Sequence, residues 1–300
     1  MLRSTSLKQL ALNFLLICGL WLCGTAHAVT CTVNATSVPL STLYTSTADT
    51  NVTGTISGSC TKEATDVGRP FIFIGVDRGA TGARKATRQN GAQTLTYNIY
   101  QGSVGGGQWT QAAGQTYGSG ISGGVLYRMA NLAVGTPQSF SFSYYLRINS
   151  GQILAPAGIY DDSLVSVFVQ LSNNGGSNTG IVLSQTTFSV TASIQNECYF
   201  STTPASLTMD YASFSTVPVT ASVGFQLSCT YNSAYTMALT PTSGTLAGLN
   251  YSVALSAASG TGTAASQSYT VNGTIAAGQA GTCALGTCTG TQVHTVTVTY

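Results

Sequence analysis

Three patterns in this 300-residue chain carry residue types able to do chemistry, and none has the spacing the chemistry needs. Gly118, Gly120 and Gly123 spell the glycine pattern of a dinucleotide-phosphate cradle. Such a cradle follows directly on a strand and has an acidic residue about twenty positions on; these glycines sit in a glycine-rich run with no strand pattern before it and no acidic residue at that distance. Asp161 and Asp162 are neighbouring carboxylates, but strand alternation sends neighbours to opposite faces. Glycoside cleavage needs two carboxyl groups about 5–9 Å apart and facing one another, so a turn or strand-entry role beside Tyr160 suits them better. His294 could serve a nucleophilic serine, yet no acidic residue lies near it in sequence to orient it. The chain reads as non-enzymatic, with no cofactor and no metal.

Cysteine gives the stronger signal. Residues 1–28 read as an export signal: Arg3 and Lys8 supply a positive start, Leu10 to Leu22 an apolar core, and Ala26-His27-Ala28 a small-residue cleavage site. Six of the eight cysteines lie beyond it, in a compartment where disulfides form and persist. Fifteen pairings of six cysteines exist, and the spacing suggests Cys31–Cys60, Cys198–Cys229 and Cys283–Cys288. Zinc is a poor rival, because His294 is the one histidine left after cleavage.

Charge excludes a further class. Two of the ten Lys/Arg residues lie in the leader, and the other eight fall between Lys62 and Arg147 against eight Asp/Glu. From Ile148 to Tyr300 there is no basic residue, so that half cannot make the phosphate contacts on which nucleic-acid affinity rests. The cluster Arg78, Arg84, Lys85 and Arg88 reads as a solvated loop.

The elements that would position any site are strands. Gly, Ser and Thr abound, no window holds a helical period, and alternation recurs at Thr94–Tyr100, Ser139–Tyr145, Leu164–Val169 and Val293–Tyr300. This pattern predicts an all-β chain of two immunoglobulin-like β-sandwich domains. Strands are expected near 52–60, 71–77, 93–101, 138–148, 160–171 and 186–195. The domain reading is a signal peptide over 1–28, a first domain over 29–195 and a second over 198–300.

The two halves differ in what precedes their first cysteine. Before Cys198 runs an alternating strand with Phe188, Val190, Ala192 and Ile194 on one face; before Cys31, once the leader is removed, almost nothing remains. Read as the seventh strand of the first sandwich, 186–195 completes that domain in cis. The second domain reaches the matching tyrosine-ended strand at Tyr300 and lacks its own last strand. Burying four such side chains is worth about 5–9 kcal/mol against a total domain stability of about 5–15 kcal/mol. A sandwich without that strand exposes an apolar groove and needs a donor, by strand addition.

Taken in order, several features resemble the spore coat protein U domain family, the subunits of archaic chaperone–usher pili. They are the cysteine pair Cys31 and Cys60, the run Leu95 to Tyr100, Trp109 in a glycine-rich stretch, Pro156 to Asp161 leading into a valine-rich strand, and the terminal Thr295 to Tyr300. The likeness covers the whole mature chain, closely over 31–171 and more loosely over 198–300. Two departures are Thr110 after Trp109, where the family usually has glycine, and the extra pair Cys283 and Cys288. The resemblance implies assembly by donor-strand complementation, with a periplasmic pilus chaperone, an outer-membrane usher and an adjacent pilus subunit as partners. Val296, Val298 and Tyr300 would form the terminal strand that faces chaperone or subunit. A receiver that does not donate belongs at the distal tip of the fibre, on the cell surface, as a two-domain tip adhesin for attachment and biofilm formation. Its ligand is not indicated.

Binding is then expected at the pole away from the second domain, in loops near 61–70, 102–124 and 172–182. The middle loop holds Val104, Trp109, Tyr117 and Ile121, and long loops of this kind often carry function. Burial of Trp109 beneath the loop is the competing reading of that residue. The alternatives to an adhesin are a structural pilus or coat subunit and a secreted glycan-binding lectin.

Overall fold

The computed structural model describes residues 29–39, 43–64, 71–77, 84–110, 113, 116–117, 124–128, 134–172, 178–283 and 288–300. Residues 1–28, Arg78, the glycines 118–123 and Ile121 lie outside them. Among the described residues the chain is all-β, without helix.

Among the described residues, ten strands build the first unit. They are β1 (Val29–Ala35), β2 (Thr50–Lys62), β3 (Phe71–Val76), β4 (Arg84–Arg88) and β5 (Thr94–Gln101), then β6 (Thr116–Tyr117), β7 (Gly124–Arg128), β8 (Pro137–Ile148), β9 (Gly158–Ser172) and β10 (Asn178–Ile194). One layer runs β1-β2-β8-β5-β4; the other pairs β7 with β3, β3 with β9, and β9 with β10, which also pairs β6. Strand β4 pairs both β5 and β9 and so joins the layers. Alternation supplies the core: Leu95, Tyr97 and Ile99 of β5 and Tyr144, Leu146 and Ile148 of β8 are all buried, as period-two side chains on one face should be. From Val165 to Leu171, β9 is buried on both faces, with Phe168 against Phe73 at a ring separation of 6.2 Å.

The second unit comprises β11 (Cys198–Thr202), β12 (Val219–Cys229), β13 (Ala234–Thr240), β14 (Ser243–Leu246), β15 (Leu249–Leu255), β16 (Ser259–Thr261), β17 (Ser266–Ile275) and β18 (Thr295–Thr299). Its layers run β11-β12-β17-β15-β14 and β16-β13-β18. A separate core forms between them from Phe225, Leu227, Met237, Leu239, Val253 and Val271, among others.

Disulfides join Cys31 to Cys60, Cys198 to Cys229 and Cys283 to Cys288. The first two each bridge residues directly opposite in an antiparallel pair.

Of the strands expected from alternation, those near 52–60, 71–77, 93–101, 138–148 and 160–171 coincide with β2, β3, β5, β8 and β9. The strand expected at 186–195 starts earlier, at Asn178. Register shifts between Asn178 and Val182 and between Val182 and Ser184 break its alternation there, which is what bulges do to a pattern. Within the basic cluster, Arg84, Lys85 and Arg88 are not in a solvated loop: they lie on β4, and Arg84 is only 6% exposed.

Candidate functional site

The two units repeat one set of pairings. β1 on β2, β2 on β8, β8 on β5 and β5 on β4 recur as β11 on β12, β12 on β17, β17 on β15 and β15 on β14. In the other layer, β7, β3 and β9 recur as β16, β13 and β18. The repeat stops at β10. Among the described residues, β18 pairs only with β13, whereas β9 has a partner on each side.

In the first unit that position is filled from within. Phe188 and Val190 of β10 stand opposite Val165 and Asp162, and Ala192 and Ile194 opposite Tyr160 and Gly158. Phe188, Val190 and Ala192 are buried and Ile194 half-buried; the Phe188 ring packs 5.2 Å from Tyr144. The other edge of β10 is bonded too. Val38 N donates to Ser189 O at 2.8 Å and Tyr44 N to Ser193 O at 2.9 Å, along a parallel stretch.

In the second unit the same position is an open cleft of about 560 Å³. Its floor is core: Leu239, Val253 and Val271. One wall is the segment from Thr203 to Met209, and the other is the chain from Gly290 into β18. Gly273 lets the first wall approach, since a Cβ there would lie 2.6 Å from Leu207 Cδ2. Val296 and Val298 face this core but stay half-buried, and Tyr300 is 54% exposed. Their counterparts Val167 and Val169 on β9 are fully buried. Beside β9 lies β10, whereas among the described residues no strand lies on that side of β18.

His294 stands at the entry to β18. Its Nδ1 donates to Pro241 O at 2.6 Å, which leaves Nε2 to accept the Tyr251 hydroxyl at 3.0 Å. Both ring nitrogens are thereby used in holding the strand to the sheet.

Of the residues expected at the outer pole of the first unit, Val104 and Trp109 do not form an exposed surface together. Val104 lies half-buried in the turn that follows β5. Trp109 is a correction to the binding reading: it is 0% exposed and part of the core. Its N–H donates to Ile99 O at 3.0 Å, folding the chain back under the turn. Tyr117 sits on β6 opposite Asn178, and Ile121 lies outside the described residues.

Sequence reasoning missed the polar cluster that anchors this turn. Arg84 Nη2 donates to Trp109 O at 2.8 Å, to Asp77 O at 2.7 Å and to Val76 O at 3.2 Å. Burial lowers the Arg84 pKa, and nearby Tyr97, Asp77 and Asp162 oppose that shift. Asp162 is therefore not a simple strand-entry residue; it accepts the Tyr97 phenol inside the unit. Its other oxygen accepts Leu164 N at 3.3 Å, at the register shift opposite Phe188 and Val190. No local pattern signals Arg84, because its acceptors come from two separate stretches of chain, 76–77 and 109.

The family model described as Spore Coat Protein U domain matches residues 22–166 and 184–250. Among solved structures, the chain is similar to the CsuC-CsuE chaperone-tip adhesion subunit pre-assembly complex from archaic chaperone-usher Csu pili of Acinetobacter baumannii. The identity is 15% and the TM-score 0.43, over 90% of this chain and 100% of that one. No curated protein matches the sequence.

Proposed function

The chain belongs to the Spore Coat Protein U domain family, and from that premise we propose that it is the tip adhesin of a chaperone–usher pilus. The observation that carries the proposal is the strand position beside β18, lined by core and without a partner among the described residues. An open core groove of this kind is filled by strand addition, which supplies backbone hydrogen bonds and apolar side chains together. Left empty, it exposes an edge that invites aggregation. A periplasmic chaperone fills it during export, and a strand of the adjacent subunit replaces the chaperone when the outer-membrane usher assembles the fibre. The first unit takes no strand, because β10 occupies the equivalent place. That unit serves attachment and biofilm formation at the fibre tip, through loops directed away from the second unit.

A synthetic peptide of residues 186–195 tests the groove. Added to the full chain purified with its chaperone, it should displace the chaperone while amide exchange across β18 stays slow. A stable, monodisperse chaperone-free monomer with β18 already protected would overturn the reading. Immunogold labelling tests the tip: label at fibre ends supports it, and label along the shaft makes the chain a structural subunit.

A further inference from the structure

Both units carry the same lock at one pole. In the first, Tyr44 donates its hydroxyl to Asn149 O at 3.1 Å and accepts Gln152 N at 3.0 Å. The Gln152 side chain accepts Thr96 N at 2.7 Å and donates to Thr96 O and Asn149 O, each at 3.0 Å. In the second, Tyr211 accepts Gln279 N at 2.9 Å. The Gln279 side chain accepts Asn250 N at 2.7 Å and donates to Asn250 O at 2.9 Å and Ala276 O at 3.1 Å. Each tyrosine follows its unit's first cysteine by thirteen residues, and each glutamine comes four residues after β8 or β17 ends.

What differs is the cover. The Tyr44 pole abuts the second unit across a cavity of about 180 Å³, with Tyr44, Gln152 and Ile153 on one side and Glu197, Tyr199 and Tyr231 on the other. The connection between the units is held there. Thr230 N donates to Glu197 O at 2.9 Å, Thr230 Oγ1 donates to Gln195 O at 3.1 Å, and Ser233 Oγ donates to Asn196 Oδ1 at 2.7 Å. The Tyr211 pole has no such cover among the described residues, and it presents Phe214, 69% exposed, and Val217, 63% exposed.

Phe214 is held in place at a cost. Its φ is 58°, a left-handed conformation that is unfavourable for a bulky L-residue. The loop is nonetheless closed by its own bonds: Phe214 N to Gln279 O at 2.8 Å, Gly278 N to Ser215 O at 2.8 Å and Ser213 Oγ to Ala280 O at 2.8 Å. Backbone strain that fixes an apolar ring in solvent points to a contact outside the unit.

The repeat also gives the direction of approach. β10 ends opposite Gly158, beside Tyr44, and passes into Gln195 and the second unit. A strand laid on β18 in the same sense would end opposite Thr295, the end of β18 next to Thr240 and hence nearest the Tyr211 pole. Whatever domain follows that strand arrives at Phe214 and Val217. We propose that the Tyr211–Val217 pole is a docking surface for the next β-sandwich of the fibre, which meets it through the cysteine-bridged end of its own first strands. The contact repeats the junction already present between the two units. This inference rests on the groove reading above, since the incoming strand delivers the partner.

The test uses the full chain followed by a second copy of its residues 173–300, which supplies the connection, the strand and a following unit. Hydrogen exchange should resolve two populations for β18, protected in the first copy and open in the appended one. Exchange across 211–217 of the first copy should slow at least tenfold relative to the chain alone. Phe214→Asp with Val217→Asp in the first copy should restore fast exchange there while β18 stays protected. If β18 is protected but 211–217 exchanges as in the chain alone, the docking surface is wrong and the groove reading stands. If β18 is never protected, the groove reading fails and the docking surface falls with it.

Discussion

Tyr97 donates a hydrogen bond from its phenol to Asp162 Oδ2 at 2.7 Å inside the first unit, beside the Arg84 guanidinium. Burial first, and then the Asp162 carboxylate, push the Tyr97 pKa upward. Burial does the same to Tyr144, Tyr160 and Tyr44. A pKa raised on folding means that the unfolded phenol loses its proton first, at about pH 10. Stability is therefore complete below pH 10 and falls as pH rises from there through the folded pKa. The slope should be about 1.4 kcal/mol per pH unit for each tyrosine held protonated. Urea unfolding of the first unit between pH 9 and 11 checks this, and Tyr97→Phe should flatten the alkaline limb by one proton.

Arg84 is tied to carbonyls of Val76, Asp77 and Trp109. Arg84→Ala removes charge-assisted bonds and leaves buried acceptors without donors, at about 3 kcal/mol or more. Arg84→Lys should recover little, because an ammonium cannot span the acceptors that the planar guanidinium fork reaches. Urea midpoints read the loss, and amide exchange across 102–109 should quicken in both variants. Wild-type stability in Arg84→Lys would show that the charge alone suffices.

Phe188 is 3% exposed and packs on Tyr144. Phe188→Ala should cost about 3–5 kcal/mol, and Phe188→Asp more, in the first unit alone. Thermal unfolding followed by tyrosine fluorescence is the measurement. A first unit that melts unchanged would mean that β10 does not complete it.

Val298 is half-buried on β18, on the same strand face as Val296, which lines the open groove. Val298→Asp places a carboxylate where a donated strand would bury apolar side chains, and desolvating that charge is costly. The variant should leave unfolding of the first unit unchanged while weakening binding of the 186–195 peptide at least tenfold by fluorescence titration.

Much of the fold was legible locally. Thr94 to Ile99 and Ser139 to Tyr144 alternate because Leu95, Tyr97, Ile99, Phe140 and Tyr144 pack inward while the residues between them are half-buried or exposed. β4 was not legible, since Arg84 breaks the apolar pattern at a buried position and its acceptors come together only when Val76, Asp77 and Trp109 converge. Trp109 posed the same problem: an aromatic residue among glycines reads equally as an exposed anchor or as a plug. The two Tyr–Gln locks left no local trace, although aligning the halves on Cys31 and Cys198 would have matched Tyr44 with Tyr211.

The sequence by itself determined the all-β class, the paired cysteines and the repetition of one unit, because these follow from period-two alternation and from spacing along the chain. Tertiary structure alone decided which strand neighbours which. Pairing joins residues far apart in sequence, such as Thr50 with Ile148 and Thr236 with Thr299, so an edge left open is a property of the assembled sheet. The half-buried Val296 and Val298, the buried Trp109 and the bare Phe214 pole all belong to that level.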